Sequence, residues 1–267
     1  MIKAIKYVFD EHKKNIDTII KLAVVNMSKQ TIRTTLGVWW VYIHDILYFS
    51  VFILFRILMA GNGYVEGMHS VVYLITGLIP WFFMNEVLNS GTNAIKGNKG
   101  IIQSIKFPTS ILPTIEVLAI FFKRVFTFIL VFVVIFYYGY IRQFNLFLFI
   151  YYLICMLILM WAINLSICAL VAVSGDFNQI YLAFTRVLMF SLPIIWSFQN
   201  IIQYKVLTIL LRLNPMVYVI NGFRNAFVLG KEPNSIYTLY FWTCILMLIG
   251  CGSLVQYKLR KYYADFM

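Results

Sequence analysis

The residues of this chain that could do chemistry are few, and most stand where charge is expensive. Arg56, Glu86, Glu116, Lys123, Arg124 and Arg186 fall within or beside long apolar runs. A charge at membrane depth is a functional candidate by default, since only a partner, a water-filled path or snorkelling to the surface keeps it there. Glu116 and Lys123 lie two helical turns apart on one face and can share an inter-helix polar network, with Glu86 as a partner for Lys123 or Arg124. Structural pairing is the preferred reading of these charges, and no chain of carboxylates marks a proton relay.

Constellations for catalysis are missing. Gly230-Lys231 is followed by Glu232 and has no glycine five residues upstream, so it reads as a helix end rather than a phosphate-cradling loop. There is no HExxH, no GxSxG and no pair of nearby carboxylates of the glycosidase type. His12, His44 and His69 have no ligand partner at useful spacing, and Cys155, Cys168, Cys244 and Cys251 sit in apolar runs as small hydrophobes. The chain is expected to be no enzyme, with no metal and no cofactor of its own.

The elements that must position these charges follow from composition. The 267 residues are 62% hydrophobic and 12% charged, where a soluble domain carries about a quarter charged residues. Too little polar surface remains to cover the chain in water, which predicts an all-α integral membrane protein. The first 20 residues are too charged for a cleavable signal peptide, so insertion is expected to rely on the transmembrane segments. A crossing helix needs about 20 mostly apolar residues. Six segments qualify, at 38–60, 71–92, 115–138, 146–173, 178–198 and 236–257. With both termini inside, fifteen of the 22 Lys and Arg fall on the inner side and five on the outer, so the positive-inside rule predicts N-in and C-in.

Three segments that do not span complete the single expected domain, 1–267. Over 1–37, Ile2, Ile5, Val8 and Phe9 recur at helical spacing among Lys3, Lys6 and Asp10, which predicts a basic amphipathic helix in the inner headgroup layer. Between crossings two and three, at 97–112, Ile101, Ile102 and Ile105 share a helical face, and Pro108 ends the helix at Phe107. At 199–234, one stripe runs through Val206, Ile209, Leu210 and Leu213, then Asn214-Pro215 opens a second helix that Gly230 stops. Each piece is about 13 residues or roughly 20 Å, too short to span, so two outer re-entrant half-helices are expected.

The chain holds 18 Tyr, 24 Phe and 6 Trp. Interfacial belts account for Trp39, Trp40 and Trp81. Mid-depth rings are less easily explained that way, and Tyr42, Tyr48, Phe52, Tyr181, Phe184, Phe190 and Trp196 are candidates for lining a path taken by a large sugar-containing molecule. Lipid-facing or inter-helix packing explains any single one of them equally well.

Four segments, in order, resemble the permease subunits of type-2 ABC exporters of polysaccharides, O-antigens, capsules and teichoic acids. Thr34-Thr35-Leu36-Gly37-Val38-Trp39-Trp40 resembles the family's S-x-L-G-x-x-W lead-in to the first crossing, and Asn98 through Pro113 resembles its N-x-x-L-I-x-K-x-x-F-P-x-x-I-L-P inner loop. Gly175-Asp176 with Ser191-Leu192-Pro193-Ile194-Ile195-Trp196 is similar to the R-D loop and S-P-I segment, with Gly175 in place of the usual arginine. Asn214-Pro215 with Arg224 and Gly230 resembles the outer N-P…R…G motif.

That resemblance implies a homodimer enclosing a channel, each permease paired with an ATP-binding-cassette subunit that holds ATP and Mg, two copies in all. It implies a coupling segment at Asn98, Lys99, Ile101, Ile102, Ile105, Lys106, Phe107 and Pro108, and an outer gate at Asn214, Pro215, Arg224 and Gly230. The expected role is outward movement of a lipid-linked glycan such as an O-antigen, capsule or teichoic acid across the bacterial cytoplasmic membrane, with no nucleic-acid partner. A drug, lipid or peptide exporter permease is the nearest alternative. An ion-coupled secondary transporter and a membrane-embedded sugar- or lipid-processing enzyme are the readings from other classes.

Overall fold

The computed structural model describes residues 1–29, 37, 39–60, 63–104 and 107–263. Two helices open the chain, α1 (Ile2–Lys14) and α2 (Ile16–Lys29), followed by α3 (Trp39–Ala60) and a short hairpin of β1 (Tyr64–Val65) and β2 (Met68–His69). Then come α4 (Ser70–Ser90), the short α5 (Lys99–Ser104), α6 (Leu112–Tyr137), α7 (Leu146–Val173) and α8 (Gly175–Ser191). Two short helices, α9 (Lys205–Arg212) and α10 (Pro215–Arg224), precede α11 (Ser235–Leu259).

Among the described residues, four helices are long and apolar enough to cross a membrane, those built on α4, α6, α7 and α11. The α9–α10 pair, extended to Leu229, makes a fifth candidate bent by 87° at its break. The α3 helix also reaches 22 residues, whereas α8 has 17, about 26 Å at helical rise. The segment expected as a helix over 178–198 therefore differs: it starts at Gly175 and leaves helix after Ser191. Pro193 lacks the N–H that a continuing helix needs, which accounts for the break.

Polar residues set the boundaries. Asn145, Ser174, Asn214 and Asn234 each accept a backbone N–H at the start of α7, α8, α10 and α11, satisfying donors that a first turn leaves orphaned. Pro113 sits in the first turn of α6 and Pro215 in that of α10, where the missing N–H costs nothing. The five-residue π turn Asn225–Leu229 that follows α10 ends at Gly230, in left-handed conformation at φ 60°, a geometry glycine adopts without strain.

The hub is α4, with sixteen of its 21 residues buried. Its apolar residues join those of α6, α7 and α10 in one large core, whereas the other long helices keep exposed apolar faces suited to lipid. A smaller cluster lies where α2, α6 and α7 meet, formed by Ile19, Ala23, Ile115, Ala119, Cys168 and Ala169. The connections sort to two ends. One end holds α1, α2, α5 and the end of α11; the other holds the hairpin, the α6–α7 link and α9–α10, where Asn145 N–H donates to Ala226 O (2.8 Å) and His69 N–H to the Tyr140 hydroxyl (3.0 Å).

At the terminal end the N-terminal segment forms two helices rather than one. The helix breaks at Asn15 and docks on the protein: Ala4 and Val8 are buried, and the Ser110 hydroxyl donates to Glu11 Oε2 (2.5 Å). Ile2 and Phe9, expected on Val8's apolar face, stay exposed with Ile16 and Ile20. The stripe thus divides into a protein-facing part and a part free to meet lipid.

Candidate functional site: two polar cavities between the helices

Near the middle of the bundle, α3, α4, α6 and α8 enclose a groove of about 480 Å³. On its wall four charges, Asp45, Glu86, Lys123 and Arg124, form one network. Arg124 Nε–H donates to Glu86 Oε2 (2.5 Å), and its Nη1 donates to the Asp45 carboxylate, at 2.5 Å for Oδ2. Lys123 pairs with the other Glu86 oxygen, and the Thr127 hydroxyl donates to Asp45 Oδ2 (2.7 Å). Two carboxylates meet two cations, so the cluster is neutral, and it ties α3, α4 and α6 together. Such pairing is what permits charge in a low-dielectric interior.

The rest of the groove is polar without being fully paired. Asn89 Nδ2 donates to Asn85 Oδ1 (2.9 Å), Thr185 donates to Asn89 Oδ1 (3.4 Å), and His44 and Arg186 reach the same space. Arg186 makes no ion pair among the described residues.

The second cavity, about 580 Å³, lies at the hairpin end among α9, α10, the start of α11 and the β-turn residue Glu66. Beneath it Arg224 is 1% exposed. Its guanidinium sits 3.6 Å from the Tyr73 ring centroid and donates to Pro193 O (2.5 Å), Asn221 Oδ1 (3.1 Å) and Tyr73 O (3.4 Å). Arg56 Nη1 donates to Ile195 O (3.1 Å), and the Tyr73 hydroxyl donates toward Trp196 O (3.0 Å). Three carbonyls released by the break after α8 thus find donors from two arginines and a tyrosine. This satisfies backbone that lipid could not. Gly77 makes room, since a Cβ there would lie 2.8 Å from Arg224 Nη2.

The sequence-selected aromatics divide between these places. Tyr48 and Phe52 line the groove. Tyr42 stands beside it, its hydroxyl donating to Lys123 O (3.2 Å). Tyr181 stacks on Phe177, and Phe184 and Phe190 face outward from α8. Trp196 donates its indole N–H to Phe190 O (2.9 Å), at the break rather than in the groove. Glu86 meets both Lys123 and Arg124, whereas Glu116 lines a separate small cavity with Asn98.

In the loop before α6, Ile105 and Lys106 lie outside the described residues, as does the side chain of Ile101. Ile102 and Phe107 are half-buried against the protein's own smaller cluster. Lys99 is exposed, while Asn98 Nδ2 donates to Ala94 O (2.8 Å) and Pro108 caps the turn that leads into α6. Gly175 and Asp176 are exposed in the first turn of α8, where a carboxylate suits the helix dipole. Asn214, Pro215, Arg224 and Gly230 all belong to the α10 unit, and the first three line the hairpin-end cavity.

Sequence reasoning missed Asp45, Tyr73 and Glu66. Asp45 carried a signal, an acid inside the first apolar run. Glu66 carried one as well: Glu66-Gly67 between two short extended pairs is a tight-turn pattern, and both residues adopt positive φ.

Residues 19–228 match the model of the ABC-2 type transporter family. The chain belongs to that family. It is the membrane permease of a type-2 ABC system, a multi-pass protein in which the four-segment resemblance and the bundle of apolar helices agree with the family match. Among curated proteins, the O-antigen export system permease protein RfbA of Myxococcus xanthus is 21% identical over 231 residues, covering 86% of this chain and 87% of that one. The charged groove and the hairpin-end cavity therefore belong to a type-2 ABC permease.

Proposed function

We propose that this permease forms the channel of an ATP-driven exporter that carries a lipid-linked polysaccharide, of O-antigen, capsule or teichoic acid type, outward across the bacterial cytoplasmic membrane. In this reading two copies pair, each with an ATP-binding-cassette subunit that supplies nucleotide chemistry. The terminal end is cytoplasmic and the hairpin end outward, with α3, α4, α6, α7, α8 and α11 as crossings and α9–α10 as a re-entrant pair. The observation that carries it is the groove: amides, His44, Arg186 and the Tyr48 and Phe52 rings line one space inside an apolar bundle. Alternating ring faces and hydrogen-bonding groups suit a sugar chain. The distant O-antigen relative supports the same cargo class.

Motion would enter through the loop before α6. Phe107 and Ile102 seat that loop on the base of α6 and α7, so a displacement of exposed Lys99 is passed to the bundle as a rigid unit. The test is reconstitution. The permease and its cognate ATP-binding-cassette subunit, placed in proteoliposomes with an undecaprenyl-linked oligosaccharide, should translocate the glycan only with ATP. Transport by the lone permease under an ion gradient would overturn the reading in favour of a secondary transporter.

A further inference from the structure

We infer that the hairpin-end cavity is a binding subsite for a glycan segment carrying a carboxylate or phosphate. The inference rests on the export reading above and adds to it an outward station and a charge preference. Four observations converge. First, Arg224 is a buried cation with no carboxylate partner among the described residues; its bonds go to carbonyl and amide oxygens, and its Nε–H meets no acceptor among them. Second, Arg212 and Lys231 join it around the cavity, against Glu66 as the only carboxylate among the described residues that line it. A surplus of positive charge above a low-dielectric floor focuses its field into the space between.

Third, Arg212 is held in place, its guanidinium 4.9 Å from the Phe198 ring centroid and its Nη1 donating to the Tyr237 hydroxyl (3.3 Å). A cation fixed in this way loses little freedom when it binds. Fourth, the walls offer Tyr237 and Tyr240 as ring faces, with Gln199 exposed as an amide. Flat apolar faces next to amide and hydroxyl groups are what a pyranose ring meets in water-facing binding sites, where C–H faces stack and hydroxyls bond. About 580 Å³ holds a few sugar units and no long chain, so the cavity suits a passing segment.

The decisive experiment places the full-length permease in nanodiscs of zwitterionic lipid and measures binding by calorimetry. The probes are an acidic tetrasaccharide of alternating glucuronate and N-acetylglucosamine and the neutral chitotetraose. The acidic probe should bind at least tenfold tighter. The double variant Arg212→Gln/Lys231→Gln should lose most of that preference, and Glu66→Gln should strengthen it. Both altered positions are solvent-facing, and an unchanged melting temperature separates lost binding from lost fold. Equal affinity for the two probes, or a preference untouched by the double variant, overturns the inference. So does loss of binding on adding phosphatidylglycerol to the discs, which makes a lipid headgroup the occupant. The same protein assayed with its ATPase keeps the two readings apart: ATP-driven export with charge-blind binding sinks the subsite alone, and no export sinks the channel reading.

Discussion

Two places in this bundle hold a largely or fully buried arginine, and they satisfy it in opposite ways. At the groove, Arg124 meets two carboxylates, Glu86 and Asp45, and Lys123 completes a neutral quartet. At the hairpin end, Arg224 meets no carboxylate and gives its N–H groups to Pro193 O, Tyr73 O and Asn221. A paired charge has its field cancelled where it stands, so the quartet serves as a fastener among three helices. An arginine held by carbonyls keeps its field. The second arrangement repairs a broken helix and leaves positive potential for something else to use.

The largest test of this contrast is the removal of one member from each. Glu86→Gln leaves Lys123 and Arg124 facing the single carboxylate of Asp45, and an uncompensated buried charge should cost about 3–5 kcal/mol. Arg224→Met removes the charge along with its bonds, so the expected loss is smaller, about 1–3 kcal/mol for carbonyls left without donors. Unfolding of the detergent-solubilised variants by heat and by denaturant reads both. A loss at Arg224 equal to or above that at Glu86 would break the distinction between paired and carbonyl-held arginine.

The next test sharpens the same point by restoring balance. Adding Lys123→Met to Glu86→Gln leaves Asp45 and Arg124 as a neutral pair. The double variant should regain about 1–2 kcal/mol over Glu86→Gln, a coupling expected of groups in one network. Simple additivity of the two substitutions would show that the quartet does not act as a unit.

How far sequence carries differs between the two sites for a physical reason. The quartet was half legible, because hydropathy isolates charges and shared depth pairs Glu86 with Lys123 or Arg124. Asp45 escaped, although it stands in the first apolar run between Tyr42 and Tyr48. Arg224 was visible only through its motif, since nothing local separates a buried arginine at the hairpin end from a loop cation. Its burial depends on Tyr73 and Gly77, about 150 residues away, and on carbonyls that a break at Pro193 exposes. The caps at Asn214 and Pro215 and the stop at Gly230 were legible because they act within one turn. The packing of Ile102 against the smaller cluster was not, because that cluster is assembled from residues far apart in the chain.

A smaller effect is expected where α10 is pressed against α7. A Cβ on Gly222 would overlap the Tyr152 ring, so Gly222→Ala must push α10 away from its support. Overpacking of this kind costs about 1–3 kcal/mol. Because Tyr152 and Asn221 both line the hairpin-end cavity, the variant should also weaken binding there while the groove quartet is untouched. Equal damage at both places, read by hydrogen exchange in α6 and α10, would show that the two regions are mechanically one.

The smallest effect is expected at the terminal end, in the contact that seats α1. Trp161 Nε1–H donates to the Thr114 hydroxyl (2.8 Å), and that hydroxyl lies 2.6 Å from His12 Nε2. His12 Nδ1 lies 2.7 Å from Val8 O, a carbonyl that can only accept, so Nδ1 carries the proton and Nε2 accepts from Thr114. Burial holds the His12 pKa below its usual value near 6.5, because the charged imidazolium loses solvent there. The sign follows. Above pH 6.5 the undocked and docked imidazoles are both neutral, and docking is at full strength. As pH falls below 6.5 the undocked helix takes up a proton that the docked one resists, so docking weakens until the depressed pKa is passed. Protonation would also turn Nε2 into a donor aimed at a hydroxyl already accepting from Trp161. Hydrogen exchange over residues 2–14 should therefore speed up about threefold to tenfold between pH 7.5 and pH 5.5, after correction for intrinsic rates, and His12→Gln should remove that dependence. A rate that ignores pH in the unaltered protein would mean that the apolar contacts of Ala4 and Val8 seat the helix without His12.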